Sequence, residues 1–165
     1  HIEHEDGTIE HREYLAEANG EDPRIKFIEQ IIKDCTGSGD VIVYNVGFER
    51  GKLNDLIEVF PACKTPILKI IDRLKDLMAP FRDRHYYTPE MKGSYSIKKV
   101  LPALVPELSY CDLEIKEGGT ASNTYAQMAQ GLFKGDEKKT RDDLLEYCKL
   151  DTWAMVKIVE KLKEV

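Results

Sequence analysis

Val41-Ile42-Val43-Tyr44-Asn45-Val46-Gly47-Phe48-Glu49 decides the fold class of this chain. Its first four residues form an unbroken apolar run, rich in β-branched side chains, as expected of a strand buried in the centre of a sheet. Asn45 turns the backbone, Gly47 permits close approach, and Phe48 anchors the start of a helix. Leu53, Leu56, Ile57 and Phe60 continue that helix to Pro61. Glu49 falls in its first turn, at the carboxyl end of the strand, where α/β sheets place their sites. The position equally suits a carboxylate that only complements the helix dipole, and Asn45 suits a plain turn or cap.

Upstream, Ile2 to Leu15 alternates polar and apolar residues around Asp6-Gly7, which predicts a β-hairpin with a clipped first strand. Asp22-Pro23 caps a helix carrying Ile25, Ile28, Ile31 and Ile32 as far as Asp34. Downstream, Thr65-Pro66 caps a helix with Ile67, Ile70, Ile71 and Leu74 on its inner face. Asp76 to Phe81 reads as an edge strand, Tyr86 to Tyr95 as a turn-rich connector and Ser96 to Leu104 as a short helix. A loop with one extended piece leads to a helix over Ala121 to Leu132, and Arg141 to Lys163 is the clearest helix of all. The expectation is an α/β fold with a mixed sheet, in one domain without repeats or linkers.

In the last helix Leu145, Cys148, Thr152, Met155, Val159 and Leu162 recur at three and four residues, predicting the face that packs on the sheet. Tyr147 and Asp151, at i and i+4, then stack beside that face. A charge there is costly unless a cation or a donor relieves it. The alternative is a boundary carboxylate held by a nearby lysine or simply solvated. Two carboxylates brought to a sheet edge, one with a phenol a turn away, suit metal-dependent phosphodiester hydrolysis.

Composition bounds the reading. The chain has 165 residues, 42% hydrophobic and 33% charged, as in ordinary globular domains. It holds no apolar run of the ~20 residues a membrane span needs and no signal-peptide pattern, so a cytoplasmic protein with no membrane partner is expected. The opening His1-Ile2-Glu3 lacks an initiator methionine and reads as the start of a fragment. Cys35, Cys63, Cys111 and Cys148 share no metal-binding spacing and read as free thiols. The net charge of −6 gives no basic footprint for nucleic acid, although a carboxylate cluster offset by bound cations also makes a chain acidic. Arg82, Arg84, His85, Tyr86, Tyr87, Lys92, Tyr95, Lys98 and Lys99 nevertheless interleave bases and rings across one connector. Lys92, Tyr95, Lys98 and Lys99 are the candidates for tracking a single strand, against a solvated loop whose tyrosines pack on the core. Lys138, Lys139 and Arg141 read as decoration of a loop and helix start.

The succession hairpin, helix, strand, Asn45-x-x-Phe48-Glu49 helix, Lys75-Asp76-Leu77 strand, Ser96-x-x-x-x-Leu101 helix and Tyr147-x-x-x-Asp151 helix resembles the ribonuclease H-like fold of the proofreading-type 3′–5′ exonucleases. These are the enzymes with four acidic active-site residues, and the subgroup with tyrosine in its third motif is nearest. Within it, Gly93 to Pro102 and Tyr147 to Thr152 resemble an uncharacterised bacterial domain family. The resemblance implies that Asp151 is a direct ligand of Mg²⁺ or Mn²⁺ and that Tyr147 holds the attacking water or scissile phosphate. It gives Glu49, where the superfamily more often has Asp, the second carboxylate position, and implies that Glu49 and Asp151 converge on a two-metal centre.

The superfamily's first motif, an Asp-x-Glu on the first strand, is expected upstream of residue 1. Asp112-Leu113-Glu114 has the right letters but follows the second motif, and Glu3-His4-Glu5 sits at the hairpin turn. Without that pair the two-metal site is incomplete, so the chain is expected to be a weak or inactive exonuclease acting on DNA or RNA. The rival reading is a nucleic-acid-binding module that keeps the fold without the chemistry. Oligomeric state is left open by the sequence.

Overall fold

Asp6-Gly7 does reverse the chain. The structure is a computed structural model that describes residues 1–164, and in it β1 (Ile2–Glu3) pairs antiparallel with β2 (Ile9–Glu10). Gly7, at φ 80°, donates its N–H to His4 O at 2.9 Å, a backbone shape that glycine adopts without strain. The remaining elements are α1 (Arg24–Asp34), β3 (Val41–Val43), α2 (Val46–Val59), α3 (Lys64–Ile71), β4 (Leu74–Asp76), α4 (Ala79–Arg82), α5 (Ile97–Leu104), α6 (Gly118–Ala129) and α7 (Glu137–Lys163). The fold is therefore mixed α/β, dominated by helix, with two small two-stranded sheets.

The chain divides into two compact units, the first formed by residues 1–23 and 109–153 and the second by Arg24–Leu108 with α7 from Ala154 onward. In the second unit β3 runs parallel to β4, with Val41, Ile42 and Val43 opposite Leu74, Lys75 and Asp76. Parallel strands need a long crossover. Here it consists of α2 and α3, joined by a 3-10 turn over Pro61–Cys63 that runs straight into α3, so the expected cap at Thr65-Pro66 does not form. Ile28 of α1, Leu53 of α2 and Ile67, Ile70 and Ile71 of α3 make the core, with Val41 and Leu74 packed against it. Burying each such side chain contributes about 2 kcal/mol.

Two expectations for this sheet are corrected. The 41–44 run is not a central buried strand: among the described residues β3 pairs with β4 alone, and Ile42 is 38% exposed. Side chains alternate along a strand, so Val41 and Val43 share the half-buried face and Ile42 takes the open one. Nor is 76–81 an edge strand. Asp76 Oδ1 accepts the N–H of Met78 at 3.1 Å, and Pro80 in the first turn starts the short helix α4.

In the first unit, the buried side chains are Tyr110, Ile115, Ala121, Met128, Leu144 and Tyr147. Arg141, expected to be surface decoration, instead ties α7 to the segment after the hairpin. Its guanidinium donates to Leu15 O at 3.0 Å and Ala16 O at 2.8 Å and pairs with Glu17 at 3.2 Å. The inward stripe of α7 also lies one residue earlier than the spacing suggested. It runs Leu144, Tyr147, Ala154 and Ile158, whereas Cys148 is exposed. Among the described residues, no helix is long and apolar enough to cross a membrane.

Candidate active site

Shifting the α7 stripe by one residue changes the standing of Asp151. It occupies the stripe itself, between Tyr147 and Ala154, and is half-buried. The cost of a carboxylate there is met by phenols. Tyr110, buried in the loop before α6, donates its hydroxyl to Asp151 Oδ1 at 2.6 Å. Tyr147, one turn back on α7, hydrogen-bonds the same carboxylate. Burial first, and then the Asp151 charge, raise the Tyr147 hydroxyl above the ordinary phenol range, so it stays a neutral donor. The Tyr147 hydroxyl lies against the first turn of α6, where a Cβ added to Gly118 would sit 3.6 Å away. On the following turn face, Thr152 Oγ1 lies 2.8 Å from His1 Nδ1. A carboxylate offers about four lone-pair directions. Two are taken by phenols, and the others can take a cation or a phosphate-bound water.

The other sequence motif sits in the second unit, at the carboxyl ends of β3 and β4. Asn45 is the N-cap of α2, its side chain accepting the Phe48 N–H at 3.4 Å, and it holds the left-handed backbone at φ 84°. Its own N–H donates to Asp76 Oδ1 at 3.1 Å. Glu49 donates its N–H to Asn45 O at 3.4 Å, and burial raises its carboxyl above the ordinary range. Phe48, expected to anchor the helix start, is 57% exposed, and the Lys52 ammonium lies 5.7 Å from its ring centre. The structure thus joins Asn45 with Glu49 in one unit and Tyr147 with Asp151 in the other.

Two residues at these sites were not singled out from the sequence. Asp76 organises the strand ends: besides Asn45 and Met78, it takes Arg82 on Oδ2 at 3.1 Å. An aspartate four residues ahead of a helix-starting proline is the signal that was present. Tyr110 reaches Asp151 across 41 residues of sequence, and no local pattern announces such a pair.

The connector 83–96 follows α4 and is tied back to the end of β3 through Tyr44. Tyr44 donates its hydroxyl to Tyr95 O at 2.7 Å, and burial followed by the Asp76 charge raises that phenol well above its ordinary range. Tyr95 is 47% exposed; Lys92 and Lys99 are exposed and Lys98 half-buried. A cleft of about 490 Å³ opens along this connector over Phe81. The two Asp-x-Glu look-alikes lie elsewhere: Glu114 is 3.7 Å from Lys139, and His4 of Glu3-His4-Glu5 is 3.4 Å from Glu10. Among the described residues, no group of three or more His, Cys, Asp or Glu side chains is placed to hold a metal ion. All four cysteines are free.

The chain belongs to a domain family described as a domain of unknown function (DUF2779), which matches residues 1–96. The match takes in Asn45, Glu49 and the connector through Tyr95, and ends ahead of α5. No curated protein and no solved structure matches the chain.

Proposed function

We propose that this chain is a ribonuclease H-like, metal-dependent 3′–5′ exonuclease-type domain acting on single-stranded DNA or RNA. One observation carries the reading: Asp151 stands within the inward stripe of α7 with two phenols on its carboxylate. A structural carboxylate in that stripe would be an expensive choice, since an apolar residue there would pack without needing partners. Mg²⁺ normally uses one or two carboxylates together with substrate phosphates. The donors at Asp151 fit one such ion recruited with substrate, and they do not make up a preformed two-metal cage. When bound, Mg²⁺ or Mn²⁺ would supply charge neutralisation at the scissile phosphate. The residues' own part is narrower. Asp151 would hold the cation, Tyr147 would keep its proton and orient water or phosphate, and Tyr110 would fix the carboxylate's rotamer.

The test is an end-labelled single strand incubated with the chain and Mn²⁺. Slow stepwise shortening from the 3′ end is expected, blocked by a chelator and reduced at least about a hundredfold by Asp151→Asn. A second reading, a binding module without hydrolysis, is favoured by the absence of a three-ligand cluster among the described residues. Binding of the same strand without shortening, equal in the wild type and Asp151→Asn, would favour the binder for this chain.

A further inference from the structure

The cleft on the connector differs from the Asp151 site in every residue. Its floor is Phe81, 4% exposed, and its sides are Arg82, Arg84, Tyr87, Gly93 and Tyr95. Arg82 is committed, to Asp76 at 3.1 Å and Asp83 at 2.9 Å. Arg84 has no hydrogen-bond or ion-pair partner for its guanidinium among the described residues, and it is exposed. It also holds φ 58°, at the end of α4, where glycine is the usual residue.

Two tyrosines line the cleft, and both are about half exposed. The Tyr87 hydroxyl accepts the Gly93 N–H at 3.1 Å across the turn, and the residue is 53% exposed. Tyr95 is held at its backbone carbonyl by Tyr44 at 2.7 Å, and the residue is 47% exposed. Lys92, at φ 52°, adds a second cation beside Gly93. Exposed tyrosine rings can stack planar bases, and a guanidinium without a protein partner can take phosphate. Two of the cleft's lining residues, Arg82 and Tyr95, bond Asp76 and Tyr44 at the carboxyl ends of the parallel strands, the end where α/β folds hold ligands, and about 490 Å³ falls in the ordinary range of small-molecule sites.

We infer that this cleft is a subsite for one nucleotide unit, with the Tyr87 and Tyr95 rings receiving the base and Arg84 the phosphate. The inference deepens the nucleic-acid reading above and rests on it for the idea that the unit belongs to a strand; a free nucleotide offers the same chemistry.

The experiment titrates the whole chain by calorimetry with AMP, adenosine, inorganic phosphate and a six-nucleotide oligoadenylate. AMP should bind at least tenfold more tightly than adenosine or phosphate alone. Arg84→Gly should weaken AMP at least tenfold without lowering the melting temperature, because glycine relaxes the backbone while removing the guanidinium. Tyr95→Ala and Tyr87→Ala should each weaken AMP. A tighter oligonucleotide that shows the same Arg84→Gly loss identifies a strand as the source. AMP binding without any oligonucleotide binding or cleavage keeps the cleft and removes the exonuclease reading. Cleavage that Asp151→Asn abolishes, with AMP binding no better than phosphate or indifferent to Arg84→Gly, overturns the cleft and leaves the exonuclease reading standing.

Discussion

Asn45 and Glu49 separate backbone duty from chemistry. Asn45 both caps α2 and holds a left-handed backbone at φ 84°. Asn45→Ala loses the cap and adds left-handed strain, an expected loss of about 2 kcal/mol; Asn45→Gly should restore most of it, as read by urea denaturation. If Asn45 only shapes the backbone, the glycine variant also keeps whatever nuclease activity the chain has. Glu49 yields a pH signature. Burial raises its folded pKa above the ordinary 4.5. The native state then binds more protons than the unfolded state in the window just above pH 4.5, so this residue's contribution falls as pH rises through that window. Glu49→Gln removes the effect. Its melting temperature should exceed that of the wild type by a margin that grows from pH 4 to pH 7, and a margin that is flat or shrinks would contradict the burial at this site.

Among the elements, the α1–β3 loop depends on one side chain from α3's end. The Arg73 guanidinium donates to Gly37 O at 2.6 Å, to Gly39 O at 2.8 Å and to Cys35 O, and Nε donates to Lys69 O at 3.2 Å. Arg73→Met is expected to cost about 2–3 kcal/mol in urea denaturation, and Arg73→Lys about half as much, since an ammonium keeps the charge but gathers its donors on one nitrogen where the guanidinium spreads them over three. Helix positions were the most legible part of the sequence because each carries an apolar period. The phase of α7 was harder. Leu144-Leu145, Tyr147-Cys148, Ala154-Met155 and Ile158-Val159 are doublets, so two adjacent stripes are equally apolar and packing chooses between them. Placing Asp151 outside the stripe selected the later one; a phenol from a distant loop allowed the other. For β3, an unbroken Val-Ile-Val run was read as two-sided burial, but three residues beside a single partner leave the middle one in the open. The i and i+4 pair Tyr147 and Asp151 was visible from spacing alone, whereas Tyr110 depends on the finished fold.

At the scale of the whole molecule, the units differ in how their segments lie along the chain. The second draws most of its core from the continuous stretch 24–108, with Ile28, Leu53, Ile67, Ile70 and Ile71 close in sequence. The first must join residues 1–23 to residues 109–153, and Arg141 makes that join at Leu15 and Ala16. On a chain emerging from the ribosome, the hairpin therefore waits, without its partners, while the intervening stretch is made and condenses. Closing so long a loop costs only slightly more than closing a short one, because the penalty grows with the logarithm of length. The delay comes from synthesis and search, and any core that residues 24–108 form among themselves shortens the search, although the second unit is complete only with α7 from Ala154 onward. Stopped-flow refolding should then show Ile67→Val slowing the main phase, while Leu144→Ala leaves that phase intact and mainly speeds unfolding. Equal slowing by both would mean that the two ends of the chain meet before the middle has condensed.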